Sequence, residues 1–247
     1  MRFFGFDHGG TIPDENTIRH YRKRLTTSGT FDALIKAFEQ QLHERGYLTM
    51  GGQIGNATLV PVRKQRKTEE EKATVKAGRS AKQIWPGKPN KAHQKDVDVR
   101  WTVKVGGKVR YRPDGTPLLQ IATPVFDYKS HISIDRRFGF IRKGKVTSAA
   151  HSDGRELRHV IDPNNTASDV WADSSYRSRK NETWLARHIF KSRIQRRKPK
   201  HKLMPERTSR INAAKLAVRA KVEHVCAHRN GHYVLFIRTI GLARAQA

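Results

Sequence analysis

Fifty lysines and arginines share this 247-residue chain with 22 aspartates and glutamates, a formal charge of +28 at pH 7. A compact fold built from such a chain repels itself unless a polyanion neutralises it. The basic residues run along the whole length instead of gathering in a tail, which points to nucleic acid met by a broad face. The length allows one sizeable domain, or a core domain with a small appendage, and a real hydrophobic core.

A single cysteine, Cys226, excludes an internal disulfide and any cysteine-pair zinc knuckle, and the twelve histidines show no ligand spacing. There is no apolar run of about 18 residues and no apolar leader at the N-terminus. These features predict a reducing, cytoplasmic protein with no membrane contact.

Two amphipathic helices open the chain. Pro13, Asp14 and Glu15 supply a helix start, with Ile18, Tyr21 and Leu25 at helical spacing. Phe31, Leu34, Ile35, Phe38 and Leu42 form the stripe of the second, with Gly46 to end it. Residues 1–50 thus read as a helical unit for DNA binding or assembly. The stretch from Gln53 to Val60, closed by Pro61, reads as a first strand. Residues Val62 to Thr116 hold 16 Lys or Arg against 6 acids, with little periodicity, and are expected to be a partly mobile basic insertion (62–117). Trp85, Trp101 and Tyr111 within it could stack on unpaired bases or form a packing cluster.

Strands are expected at 118–125, 128–135 and 138–148, a helix at 154–161, a strand at 169–172 and a helix at 179–188. A strand at 189–194, a loop with eight basic residues and one acid from Arg193 to Arg210, and a helix over 208–228 complete the pattern. The buried stripe of that last helix would be Ile211, Ala214, Val218, Val222 and Val225. The order predicts an α/β domain over 51–247, a mixed sheet flanked by helices. In such sheets, acids at neighbouring strand ends can converge on one site.

Two carboxylates stand out. Asp173 follows the short strand, and Glu223 lies in the last helix beside Val222, with Arg219 one turn earlier. Singly, Asp173 reads as a turn or capping residue and Glu223 as half of a solvated i,i+4 pair. Together in a very basic chain they could hold a divalent metal against a phosphodiester. Asp135 reads as a hairpin residue, His151 with Asp153 as a local hydrogen bond, and Cys226 as a small hydrophobe.

Asp169-Val-Trp-Ala-Asp-Ser-Ser-Tyr-Arg-Ser178 and Val218-Arg-Ala-Lys-Val-Glu-His-Val225 resemble the second and third acidic motifs of bacterial insertion-sequence transposases of the insertion-sequence-five group, which are DDE enzymes. Ile12 to Arg22, Tyr128 to Asp135 and Phe236 to Ala245 resemble further segments of that group, so the likeness covers nearly the whole chain. It implies a ribonuclease-H-like fold and two Mg²⁺ or Mn²⁺ ions. It implies nicking of double-stranded DNA at the element's terminal repeats, transfer of the freed 3′-hydroxyl into target DNA, and compatibility with a homo-oligomer. Asp173 and Glu223 would be metal ligands, and Arg219 would contact phosphate or orient Glu223.

The family setting Gly-Gly-Gln-Ile-x-Asp-Ala-Thr reads here Gly51-Gly-Gln-Ile-Gly-Asn-Ala-Thr58, with Asn56 in place of the first acid. An amide brings no charge to a site that would hold about four positive charges, so catalysis is expected to be impaired. Asn230 stands where the family has Lys and Leu216 where it has Tyr. The ends of the chain fit a shortened copy. A non-enzymatic protein that occupies element ends, and a ribosomal-type RNA-binding protein, are the competing readings.

Overall fold

The structure, a computed structural model, describes residues 13–47, 51–105, 112–114, 116, 122–165, 169–199 and 202–246. The chain divides into two compact units, Met1–Leu48 and Thr49–Gln246. In the first, α1 (Glu15–Thr27) starts at Asp14, whose side chain accepts from the Thr17 N–H at 2.7 Å, and α2 (Thr30–Glu44) follows a left-handed Gly29. The predicted apolar stripes are present, but Ile18, Tyr21, Leu34, Ile35 and Phe38 remain exposed.

The second unit is built on a six-stranded mixed sheet, counted over the described residues. Its strands are β1 (Gln53–Pro61), β2 (Arg100–Val105), β3 (Ala122–Asp135), β4 (Ile141–Ser148), β5 (Asp169–Trp171) and β6 (Lys191–Ser192). The order β2-β3-β1-β5-β6, with β4 also on β3, makes β1, β3 and β4 antiparallel and adds β5 and β6 parallel to β1. The strands expected at 118–125 and 128–135 are one: buried Phe126 and Tyr128 keep the chain extended through the position of the expected break. Residues 117–121 lie outside the described residues. The expected strand at 189–194 shrinks to two residues because Ile189 is in the left-handed region (φ 60°) and 86 % exposed, closing the preceding helix.

Alternation of side chains across the sheet, with period two, assigns its two faces. Gly55, Val170 and Ala172 face α6 (Asp153–Val160) and α7 (Arg179–Arg187), where Leu157, Ile161, Tyr176, Leu185, Phe190 and Ile194 complete a fully buried cluster. Ile54, Ile132, Ile134 and Trp171 face the other way and bury Val222 and Cys226 of α8 (Glu206–Ala227), with Val218 and Val225 packed alongside. Ile211 stays exposed, because the first turns of α8 bond to the loop after β6 instead of the sheet: Gln195 Nε2 donates to Asn212 O at 3.2 Å, and Asn212 Nδ2 to Arg196 O at 3.0 Å.

Beyond α8 the chain continues along the same sheet face. Asn230 Nδ2 donates to Thr58 Oγ1 at 3.1 Å, Ile237 bridges to Val62, and α9 (Leu242–Gln246) packs on Phe126 and Tyr128. The insertion is more ordered than its composition suggests. It carries α3 (Glu69–Lys76), α4 (Ala81–Ile84) and α5 (Pro89–Gln94), tied together by Glu71, which accepts from Trp85 Nε1 at 2.7 Å and from Lys91 Nζ at 2.5 Å. Asp96 accepts from the Tyr128 hydroxyl at 2.9 Å and from the Gly241 N–H at 2.9 Å, fixing the insertion to both sheet and C-terminal segment. Trp85 is buried and belongs to packing, as the alternative reading had it; Trp101 leans on Phe126 and is half exposed, and Tyr111 lies outside the described residues.

Gly52 is required by close approach: at φ 109°, a Cβ there would sit 2.5 Å from the Trp171 ring and 2.8 Å from Asp169 O. Backbone contact between the starts of β1 and β5 is thereby possible, and the amide of Gln53 locks the neighbouring loop by pairing with the N–H and C=O of Asp162 at 2.8 and 2.9 Å.

His131, fully buried on β3, shares a 2.8 Å hydrogen bond between Nε2 and Thr147 Oγ1, and burial pushes its pKa down to about 4 from 6.5. As pH falls below 6.5 the unfolded chain therefore takes up the proton first, and stability is lost down to about pH 4, by at most ~1.4 kcal/mol per pH unit for one proton. Urea titrations of a His131→Gln variant should show that part of the acid slope removed; an unchanged slope would place the proton uptake on another group.

Candidate functional site

The site starts with register. β1 and β5 run parallel with Gln53 beside Val170 and Ile54 beside Trp171, so two residues on, Asn56 comes level with Asp173. Period-two alternation puts both on the face that α8 covers, with Ile54 and Trp171. Burying Val222 and Cys226 then fixes the rotation of α8, and Glu223, next to Val222, comes to the edge of the same face.

The contacts follow from that placement. Asp173 ends the extended segment after β5 and caps a single turn, Ser174–Tyr176: its Oδ1 accepts from the Ser175 N–H at 2.6 Å. Its other oxygen faces Arg219 Nη1 at 3.5 Å, and Arg219 Nη2 donates to Glu223 Oε1. One guanidinium therefore spans two carboxylates that are 50 residues apart in sequence. Arg219 is the inner member, its side chain 14 % exposed, whereas Asp173 and Glu223 are 32 % and 49 % exposed and keep oxygens open to solvent.

Asn56 meets α8 at another point: its Nδ2 donates to Cys226 Sγ at 3.8 Å, and Cys226 lies one turn beyond Glu223. The structure thus brings Asp173, Arg219 and Glu223 into contact and places Asn56 on the same sheet face, against Cys226. Asp135 is not part of the group; it is fully buried and accepts from the N–H groups of Arg137, Phe138 and Phe140, the hairpin role expected of it. His151 pairs with Glu156 at 2.6 Å, while Asp153 pairs with Lys129 at 2.8 Å, so the two do not pair with each other.

Tyr176 has no role in the sequence reading. It lies in the same acidic motif, is fully buried, and its hydroxyl has no hydrogen-bond partner among the described residues. Burial, with the charges of Asp153 and Asp173 nearby, pushes its phenol far above the ordinary value. Its place three residues after Asp173, in a one-turn helix, was the available signal.

The donor set is all oxygen: two half-open carboxylates around one cation, with an amide on the same sheet face. Such a set suits a hard ion such as Mg²⁺, which takes one or two carboxylates and completes its shell with water or phosphate oxygens. Among the described residues no three His, Cys, Asp or Glu side chains converge as a metal cluster. Among the same residues, no helix is long and apolar enough to cross a membrane. No protein-family model, curated protein or solved structure matches the chain.

Burial raises the Cys226 thiol above its ordinary pKa, keeping it protonated and inert. Native protein at pH 8 should react with a disulfide reagent at least ~100-fold more slowly than protein in urea. Equal rates would mean that α8 does not stay seated on β1.

Proposed function

We propose that this chain is a DNA-binding protein of the transposase type, resembling the insertion-sequence-five group, whose acidic site handles phosphodiesters at element ends. The observation that carries this reading is the meeting of Asp173 and Glu223, from separate elements, on one guanidinium, with Asn56 on the same sheet face against Cys226. The sheet, in which β4, β3 and β1 are antiparallel and β5 and β6 are added parallel to β1, is compatible with a ribonuclease-H-like domain, and the acids occupy its α8 side. The charge of +28 supplies the attraction for DNA.

Asp173 and Glu223 are the residues that would hold Mg²⁺ or Mn²⁺. Such ions, when bound, lower the pKa of an attacking water or 3′-hydroxyl and stabilise the leaving oxygen. Arg219 keeps the two carboxylates together and is placed to turn toward a phosphate oxygen as a planar donor. Asn56 can orient a ligand through its amide oxygen but adds no negative charge, so a pair of ions lacks its third carboxylate.

A second reading, a non-enzymatic occupant of element ends, is favoured by that same Asn56 and by the engagement of both acids with Arg219. Nicking assays decide between the two. On a duplex carrying candidate terminal repeats with Mn²⁺, the natural chain should nick weakly and Asn56→Asp at least ~10-fold faster, a gain that Asp173→Ala in the same background abolishes. Absence of any gain, with DNA binding intact, establishes the binding-only protein.

A further inference from the structure

The basic loop after β6 is not explained by the acidic site, yet it is anchored beside it on three sides. Arg177, from the loop before α7, and Lys215, from α8, donate from Nη1 and Nζ to one carbonyl, that of Ile194, at 3.0 and 2.9 Å. Arg196 is fixed through its backbone: its N–H donates to Asn212 Oδ1 and its carbonyl accepts from Asn212 Nδ2, both at 3.0 Å. Arg197 donates from Nε and Nη2 to the carbonyls of Ser174 and Ser175, in the turn that Asp173 caps, at 2.8 and 3.1 Å.

This is an arrangement of cations held close together against their mutual repulsion. The acids nearby are engaged at its margin: Glu182 sits 3.8 Å from Arg177 and accepts from Ser192 Oγ, and Asp169 pairs with Arg193 at 3.1 Å. Burial first, and then the charges of Arg177, Arg196 and Arg193, pull the Lys215 ammonium below its ordinary pKa, against an opposing effect of Glu182. Nothing in the packing demands this clustering, since Arg196 contributes its backbone alone to the pin.

We propose that Arg177, Arg196 and Lys215 form a phosphodiester-binding subsite, which holds the DNA strand that enters the Asp173–Glu223 site. Lys215 precedes Arg219 by one helical turn and Glu223 by two, about 6 and 12 Å along α8. The longer distance corresponds to three or four nucleotides of one strand at about 3.4 Å each. A strand lying along α8 would thus meet the cluster first and the acids next. This inference rests on the DNA reading of the acidic site, but its test does not need catalysis.

The test is binding of a generic DNA duplex to the full chain in EDTA, followed by fluorescence anisotropy from about 50 to 200 mM NaCl. Each lost phosphate contact should make the slope of log K against log salt shallower by about 0.9. Arg196→Gln should show that change, the Arg196→Gln/Lys215→Gln pair about twice it with roughly tenfold weaker binding, and Lys215→Arg little change. Lys82→Gln, an equal charge loss in α4, should leave the slope as it is. Unchanged slopes in Arg196→Gln, or an equal change in Lys82→Gln, overturn the subsite, as does tighter binding of single-stranded RNA than of the duplex. Arg196→Gln melts with the natural chain if the pin is backbone-made, so it decides even if Lys215→Gln unfolds. Failure of the nicking assay alone, with these slopes as expected, removes the enzyme and leaves the subsite standing.

Discussion

The guanidinium of Arg219 between Asp173 and Glu223 is the contact that makes a site out of two separate segments, α8 and the turn after β5. As a helix pair alone, Arg219 and Glu223 would be worth a few tenths of a kcal/mol. The third partner comes from the other side of a tertiary interface, so the interaction exists only when α8 is seated on the sheet with Val222 and Cys226 buried against Ile54, Ile132 and Trp171. Two carboxylates brought this close repel each other, and a planar fork that reaches both relieves the repulsion without a metal.

That seating is a consequence of two periodicities meeting. The period of two along β1 and β5 puts Ile54, Asn56, Trp171 and Asp173 on one face, and the 3.6-residue period of α8 turns Arg219, Val222, Glu223 and Cys226 toward it. The glycine at position 52 allows β1 and β5 to approach at their starts, which sets the register that brings Asn56 level with Asp173. Shifting β1 by one residue would turn Asn56 to the face of Leu157 and Tyr176, away from Cys226 and α8.

Much of this was legible in the chain because the signals were local. A helix start at Pro13 to Glu15, the hairpin at Asp135 and the pairing of Arg219 with Glu223 are short-range effects, and the structure has them. The helices of the insertion went unread because its net charge outweighed its caps: Thr68-x-x-Glu71 is a reciprocal capping box, visible in the sequence, and it starts α3. The stripe of α8 was overextended for a different reason. Periodicity says which residues share a helix face but not where the facing surface ends, and here Asn212 and Lys215 meet the loop at Ile194 where a sheet was expected. Ile189 shows the limit of propensity: a β-branched residue, it occupies the left-handed region because the helix before it must close.

Under the proposed function, the balance of charge separates affinity for DNA from turnover. An Asp at position 56 would add one negative charge at the acids, decisive for a divalent ion whose ligands number two or three, yet small against a formal +28 spread over 247 residues. Long-range attraction for a polyanion sums over all the charges, whereas ion binding depends on those within a few ångströms. With Asn56 in place, the acidic corner loses charge that would repel phosphate, and the cations around Ile194 and at Arg219 are left with less to neutralise them. Under the proposed function, an amide at position 56 would weaken a metal centre while leaving less charge to repel phosphate, which is the physical sense in which the enzymatic and the binding-only readings share one architecture.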